Sequence, residues 1–224
     1  MNTNFLARTQ LFSGIHPDEI SRLLSCLHAR EAAFKKGETI FHADSEIEEI
    51  GLILSGSVNM IVNLYWGSSR IFGHMNPGDI FGENYAAIEG KKLPGDLVAA
   101  QESRVLFLNL KQVYTTCRKS CPYHHQLIEN LLRLSAQKNL MLSERMLHTS
   151  SRTIRDRVLS YLSAMARESG SSHFKIPFNR QQMADYLGVE RSALSAELSK
   201  MKKEGLIAFQ KNEFSLSSPA VYHE

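Results

Sequence analysis

Arg191, Ser192, Ser195 and Ala196 stand together at the start of an apolar-periodic stretch. A guanidinium offers paired donors that fit guanine O6 and N7, and serine hydroxyls can meet either kind of base edge. Asn179, Arg180 and Gln181, earlier in the chain, and Lys211, in a later polar turn, add further donors. With Arg191, Ser192 and Ser195 they are the candidate contacts to double-stranded DNA. A different chemistry, that of a cupin-like metal enzyme, would need clustered His and Glu ligands. His42 and His74 with Glu83 are the candidates, and they lack a close-spaced His-x-His.

The elements that must position the first group are legible locally. Asn179 to Gly205 reads as two short helices joined by a tight turn. Asn179 can cap the first, with Gln182 three residues on to complete a capping box. Met183, Ala184 and Leu187 recur at helical spacing. Gly188 supplies the break, and Val189 is expected to be the buried residue of the turn. Glu190 and Arg191 open the second helix, whose Leu194, Leu198 and Met201 share one face, and Gly205 ends it. This register leaves Arg191, Ser192, Ser195 and Ala196 on the open face, where a helix-turn-helix meets base edges in the major groove. Leu206, Ile207 and Phe209, a polar turn from Gln210 to Glu213, then Phe214 and Leu216 make a hairpin: the wing of a winged helix-turn-helix. Caps, turn, apolar register and wing all agree.

The 224 residues suffice for one large or two modest domains. No run approaches the roughly 18 apolar residues of a membrane helix, and the N-terminus lacks a signal-peptide core, so a cytoplasmic protein is expected. Net charge is +3, unevenly placed. Residues 150–224 hold 11 Lys+Arg against 8 Asp+Glu, and residues 1–149 hold 15 of each. The excess thus lies with the recognition helix, as a phosphate-facing surface requires. Cys26, Cys117 and Cys121 are too sparse for a disulfide framework and read as reduced structural thiols.

In chain order, Ile20, Leu23, Leu24 and Leu27 line one face of a short helix opened by Pro17. From Ala33 to Leu108, short β-branched and apolar runs alternate with turn signals. This meander, without a helical crossover, predicts an antiparallel sandwich or a jelly-roll-like β-barrel. From about Pro122 the period is helical again. Apolar residues on both flanks of this long helix suggest that it pairs with a copy of itself, and the stripe through Leu127, Leu131, Leu134 and Met141 is interrupted by Lys138 and Arg145. His148 to Arg152 reads as a polar hinge, followed by a helix from Thr153 to Ala166. The expected class is α+β: a sensing domain over 1–120, a dimerisation helix over 121–148 and a DNA-binding domain over 149–224.

This order of parts resembles the CRP/FNR family of bacterial transcription regulators across essentially the whole chain. The likeness is carried by Leu11-Phe12-Ser13-Gly14, Lys36-Gly37-Glu38, Gly51 to Val58, Pro77-Gly78-Asp79, Phe81-Gly82-Glu83 and Asn179 to Ile207. The resemblance implies a homodimer, paired through 121–148, that binds a near-palindromic site, works with RNA polymerase and answers to a small-molecule effector. It does not imply an enzyme. A cyclic-nucleotide-binding regulatory module is a further alternative, and the winged helix-turn-helix argues against it.

The resemblance also marks an effector site. In cyclic-nucleotide-binding members, Phe-Gly-Glu begins a phosphate cassette whose Glu takes the ribose hydroxyl, and an Arg about ten residues on neutralises the phosphate. Phe81, Gly82, Glu83 and Asn84 match its start, but the loop Gly90 to Asp96 contains no Arg, only Lys91 and Lys92. An ammonium is a poor copy of a bidentate guanidinium, which argues against cyclic AMP. Leu142 and Ser143 stand where nucleotide-responsive members carry a hydroxyl pair. Haem is another family theme, with His74 the candidate ligand and His124, His125 and His148 near the long helix. The cysteine group of cluster-binding members is missing. Ser192 and Ala196 also replace the Glu and Arg that well-known members read bases with, which implies a different operator.

Overall fold

The computed structural model describes residues 2–114 and 122–217; Cys117 and Cys121 lie outside the described residues. The chain divides into two compact units, Met1–Ala136 and Gln137–Glu224.

The first unit opens with α1 (Thr3–Leu6), a turn of helix capped by the Asn2 side chain, and α2 (Pro17–Cys26). His16 caps α2, Glu19 completes the capping box and Pro17 fills the first helical position. Cys26, at its end, is exposed. Strands β1 (Arg30–Phe34), β2 (Thr39–Phe41), β3 (Glu49–Ser55), β4 (Val58–Asn63), β5 (Ser69–Met75) and β6 (Ile80–Phe81) follow. Then come α3 (Glu83–Ala86), β7 (Asp96–Ala99), β8 (Ser103–Asn109), α4 (Leu110–Tyr114) and α5 (Pro122–Thr149). The α+β class and the antiparallel pairing stand, but the barrel does not. The strands form two four-stranded sheets, β1-β8-β3-β6 and β2-β7-β4-β5, each with its own open edges. Alternation along a strand fixes which side chains face inward; it does not say which edges meet.

One sheet is buried on both faces, and this explains the unbroken apolar runs of β3 and β8. Ile50, Leu52, Leu106 and Leu108 face a helical layer with Ile20, Leu23 and Leu127, whereas Ile53, Val105 and Phe107 face the second sheet. Between the sheets Phe41 makes edge contacts with Phe81 and Phe107, at 6.3 and 5.7 Å between ring centres. The β4–β5 end lies at the outer edge and exposes Tyr65, Trp66, Ile71 and Phe72.

Helix α5 runs about 42 Å at its 28 residues. Its stripe through Leu127, Leu131 and Leu134 is buried against its own unit, which corrects the sequence reading of that stripe as an imperfect self-pairing seam. The free stripe is another one: Leu132, Ala136, Leu140, Ser143 and Leu147 are all exposed at helical spacing. The hinge reading is also corrected at His148. That ring is buried, helical, and hydrogen-bonded through Nδ1 to the Tyr186 hydroxyl at 2.9 Å.

The second unit adds α6 (Ile154–Ser169), β9 (His173–Lys175), α7 (Arg180–Leu187), α8 (Arg191–Lys203), β10 (Ile207–Gln210) and β11 (Glu213–Leu216). Thr153 caps α6, and β9 joins the β10–β11 hairpin to give the order β10-β11-β9. Val158, Leu162, Met183, Leu187, Leu194, Leu198, Met201 and Phe214 are fully or almost fully buried in one core.

Candidate nucleic-acid interface

The turn between α7 and α8 forms for the reasons its residues suggest. The Asn179 side chain accepts from the Gln182 N–H, and Gln182 returns a bond to the Asn179 N–H, each at 2.9 Å. Gly188 takes the left-handed conformation at φ 64° that ends α7, where a side chain would be strained. Val189 is half-buried rather than buried, packed at the edge of the core. Glu190 then caps α8 by accepting from Ser192 N and Ala193 N at 2.7 and 3.0 Å. These bonds, led by one from the Ser192 hydroxyl, hold its carboxyl below the usual carboxylate range.

With Leu194, Leu198 and Met201 sealed inward, Arg191, Ser192 and Ala196 are exposed and Ser195 is half-buried. Ser195 Oγ donates back to Arg191 O at 2.9 Å. The other candidates differ in what they have free. Asn179 is occupied as a cap, and Gln181 donates to Asp185 Oδ1 at 2.9 Å. Lys211 is exposed in the two-residue wing turn, at φ 55°. Arg180 is half-buried, its guanidinium 5.1 Å from the Phe209 ring centre and 5.8 Å from that of Phe214, and burial lowers its pKa. Here it braces the wing against α7 through cation–π contact.

Three arginines hold this frame, and the sequence alone assigns none of them to it: there Arg145 is only a break in the α5 stripe. Arg145 of α5 donates to Tyr186 O and Asp185 O, at 3.0 and 2.9 Å, and Arg157 of α6 donates to Leu187 O and Gly188 O, at 3.1 and 3.3 Å. Together they satisfy the carbonyls left open at the end of α7. Arg155 bonds Glu197 at 2.7 Å and Glu204 at 3.0 Å, so α6 ties down both the middle and the end of α8. The two carboxylates, Glu204 first, raise the Arg155 pKa further. No local signal marks these residues, because their partners lie some 30 to 49 positions away.

In the first unit, Phe81 is buried on β6 against Gly51, where its ring leaves no room for a side chain. Gly82 turns left-handed into α3, which begins with the buried Glu83; Asn84 is exposed. Lys91 and Lys92 are exposed on the following loop, and the Lys92 backbone pairs antiparallel with that of Glu46. Leu142 and Ser143 are exposed on the part of α5 that belongs to the second unit. His74 is exposed on β5 with Nδ1 2.6 Å from Asn59 Oδ1, and His42 lies 3.7 Å from Asp96. Among the described residues, no three His, Cys, Asp or Glu side chains gather as metal ligands, so His42, His74 and Glu83 are not brought together.

Comparison with known proteins bears on both units. The model of the cyclic nucleotide-binding domain matches residues 31–120, and that of the Crp-like helix-turn-helix domain matches residues 156–220. The cyclic AMP receptor protein of Thermus thermophilus is 24% identical over 96% of this chain and 95% of its own length. The transcriptional activator protein FnrL of Cereibacter sphaeroides is 21% identical over 80% of this chain and 72% of its own. Among solved structures, OCPA-complexed CprK shares the fold at a TM-score of 0.60 and 15% identity, over 87% of this chain and 88% of that one. No helix among the described residues is long and apolar enough to cross a membrane.

Proposed function

The chain belongs to the CRP/FNR family of transcription regulators, and from that premise we propose that it acts as a cytoplasmic homodimer, joined through α5, that binds a near-palindromic duplex under control of a small molecule held by its first unit. The observation that carries the DNA reading is α8 itself. Its apolar face is sealed, its frame is clamped by arginines, and Arg191 is left exposed at its N-terminal end. Arg191 would meet guanine, Ser192 and Ser195 neighbouring base edges, and Lys211 a backbone phosphate. Two-fold symmetry in the protein calls for two half-sites one helical turn apart, and RNA polymerase is the partner that a transcription regulator bound there would meet. The division into 1–120, 121–148 and 149–224 follows the same reading.

The exposed stripe of Leu132, Leu140 and Leu147 supports pairing, since such a row in water favours a second copy. One relative is named a cyclic AMP receptor protein, yet the loop from Gly90 to Asp96 has no arginine for a cyclic phosphate. The effector proposed is therefore a small molecule other than cyclic AMP, bound near Phe81, Gly82, Glu83 and Asn84. Lys91 and Lys92 would supply positive charge. Titration calorimetry with cyclic AMP is expected to give no heat of binding, and the protein from its own host no Soret band. Fluorescence anisotropy with duplexes selected from a random pool tests the DNA reading. Arg191→Ala is expected to cost about 1–3 kcal/mol and to relax one base pair per half-site; equal weakening on all sequences would make it a phosphate contact.

A further inference from the structure

Glu190, the cap of α8, has a second carboxylate oxygen that capping leaves unused. Three donors converge on one of its oxygens: Ser192 N at 2.7 Å, Ala193 N at 3.0 Å and the Ser192 hydroxyl all bond Oε2. The side chain is exposed, and Oε1 has no partner among the described residues. The carboxylate is thus pinned by one corner and open at the other, beside Arg191. The pinning also spends the Ser192 hydroxyl proton and two N–H groups at the helix start, which would otherwise be free to receive a phosphate.

We propose that Glu190 is a specificity-determining residue, its Oε1 accepting a hydrogen bond from the N4 amino group of a cytosine in each half-site. This rests on the reading that α8 enters the major groove. A fixed carboxylate there can only accept. It suits the cytosine amino group and opposes guanine O6 and thymine O4, which are acceptors themselves. Beside it Arg191 can only donate, and suits the guanine acceptors. Two consecutive residues of opposite hydrogen-bonding sense therefore ask for G·C pairs read from both strands. Against the phosphate backbone a carboxylate is repulsive, so in a bound complex the partner that suits its open oxygen is an amino group on a base edge.

The test uses the full chain and a pool of random duplexes, followed by anisotropy on the selected site and on single-base variants. Wild type is expected to select a site with a cytosine preference, about 10-fold over thymine, at one position per half-site. Glu190→Ser keeps a good helix cap and removes the carboxylate. It is expected to lose that preference alone, with the melting temperature held and the guanine preference intact. Glu190→Gln, which can donate as well as accept, is expected to shift the position toward adenine. If either variant tightens binding equally on every sequence, or keeps the cytosine preference, Glu190 is a cap only and the proposal is overturned. If wild type selects nothing, the DNA reading itself fails, and this inference with it.

Discussion

The two ends of α5 each bury one histidine, on opposite terms. At the first end, His124 is 2% exposed and neither ring nitrogen has a hydrogen-bond partner among the described residues. At the other, His148 is 7% exposed, bonds the Tyr186 hydroxyl, and packs its ring 5.6 Å from Tyr161 and 5.9 Å from Tyr186. One helix is thus seated mainly by apolar burial in the first unit, where buried Asn130 adds bonds to Leu11 O and Ser13 O at 3.0 and 2.7 Å, and by specific polar pairing in the second, where it meets the helix-turn-helix. Apolar seating tolerates exchange of one hydrophobe for another, whereas polar pairing demands particular partners. Arg145, three residues before His148, belongs to the second kind: it grips the end of α7.

The largest expected effect separates the faces of α5. Leu127→Ala, in the buried stripe, is expected to destabilise the first unit by about 2–5 kcal/mol in chemical denaturation. Leu140→Ala, on the exposed stripe, is expected to leave that unfolding unchanged in the monomer and to weaken self-association in sedimentation. If the two variants behave alike, the assignment of faces is wrong. Next in size, His148→Phe is expected to cost about 1–3 kcal/mol by stranding the Tyr186 hydroxyl. His124→Leu is expected to gain about 1 kcal/mol, because it removes a buried polar ring that has no hydrogen-bond partner among the described residues. Were His124→Leu destabilising and His148→Phe neutral, the contrast between the two ends would collapse.

The smallest effect is in pH. Burial first, then His125, lowers the His124 pKa; burial lowers that of His148, with Arg167 adding to it and Glu144 opposing. The unfolded chain titrates its histidines near about 6.5, so below that pH it takes up protons that the folded rings refuse. Stability is then full above that value and falls as pH drops toward the folded pKa values. Melting curves across this window are expected to show the slope in wild type and a smaller one in a chain that carries both His124→Leu and His148→Phe.

The sequence was most readable where cause and effect are close in the chain. The Asn179–Gln182 box, the Gly188 break, the inward register of Leu194, Leu198 and Met201, and the wing hairpin all rest on neighbours within a few residues. The sheets were half-readable: the strands were recoverable, but β8 pairing with β1 and β3 is a long-range choice that no local signal carries. The same limit explains Arg180. As a donor at the start of a helix it looks like a DNA contact, and only the distant Phe209 and Phe214 show where its charge goes. For α5, periodicity grouped Leu127, Leu131 and Leu134 correctly and could not say what they face. For the effector residues, the resemblance marks Phe81-Gly82-Glu83 without a conformation, and the left-handed Gly82 and the burial of Glu83 come from the structure; the ligand's identity depends on chemistry that neither spells out.

Trp66 is the chain's one tryptophan, and it stands 89% exposed beside Tyr65 beyond the end of β4. The native protein therefore carries a built-in optical probe at a single address. Its emission should be that of an indole in water, and any event that shields the β4–β5 tip should shift the spectrum to the blue without a dye or a label.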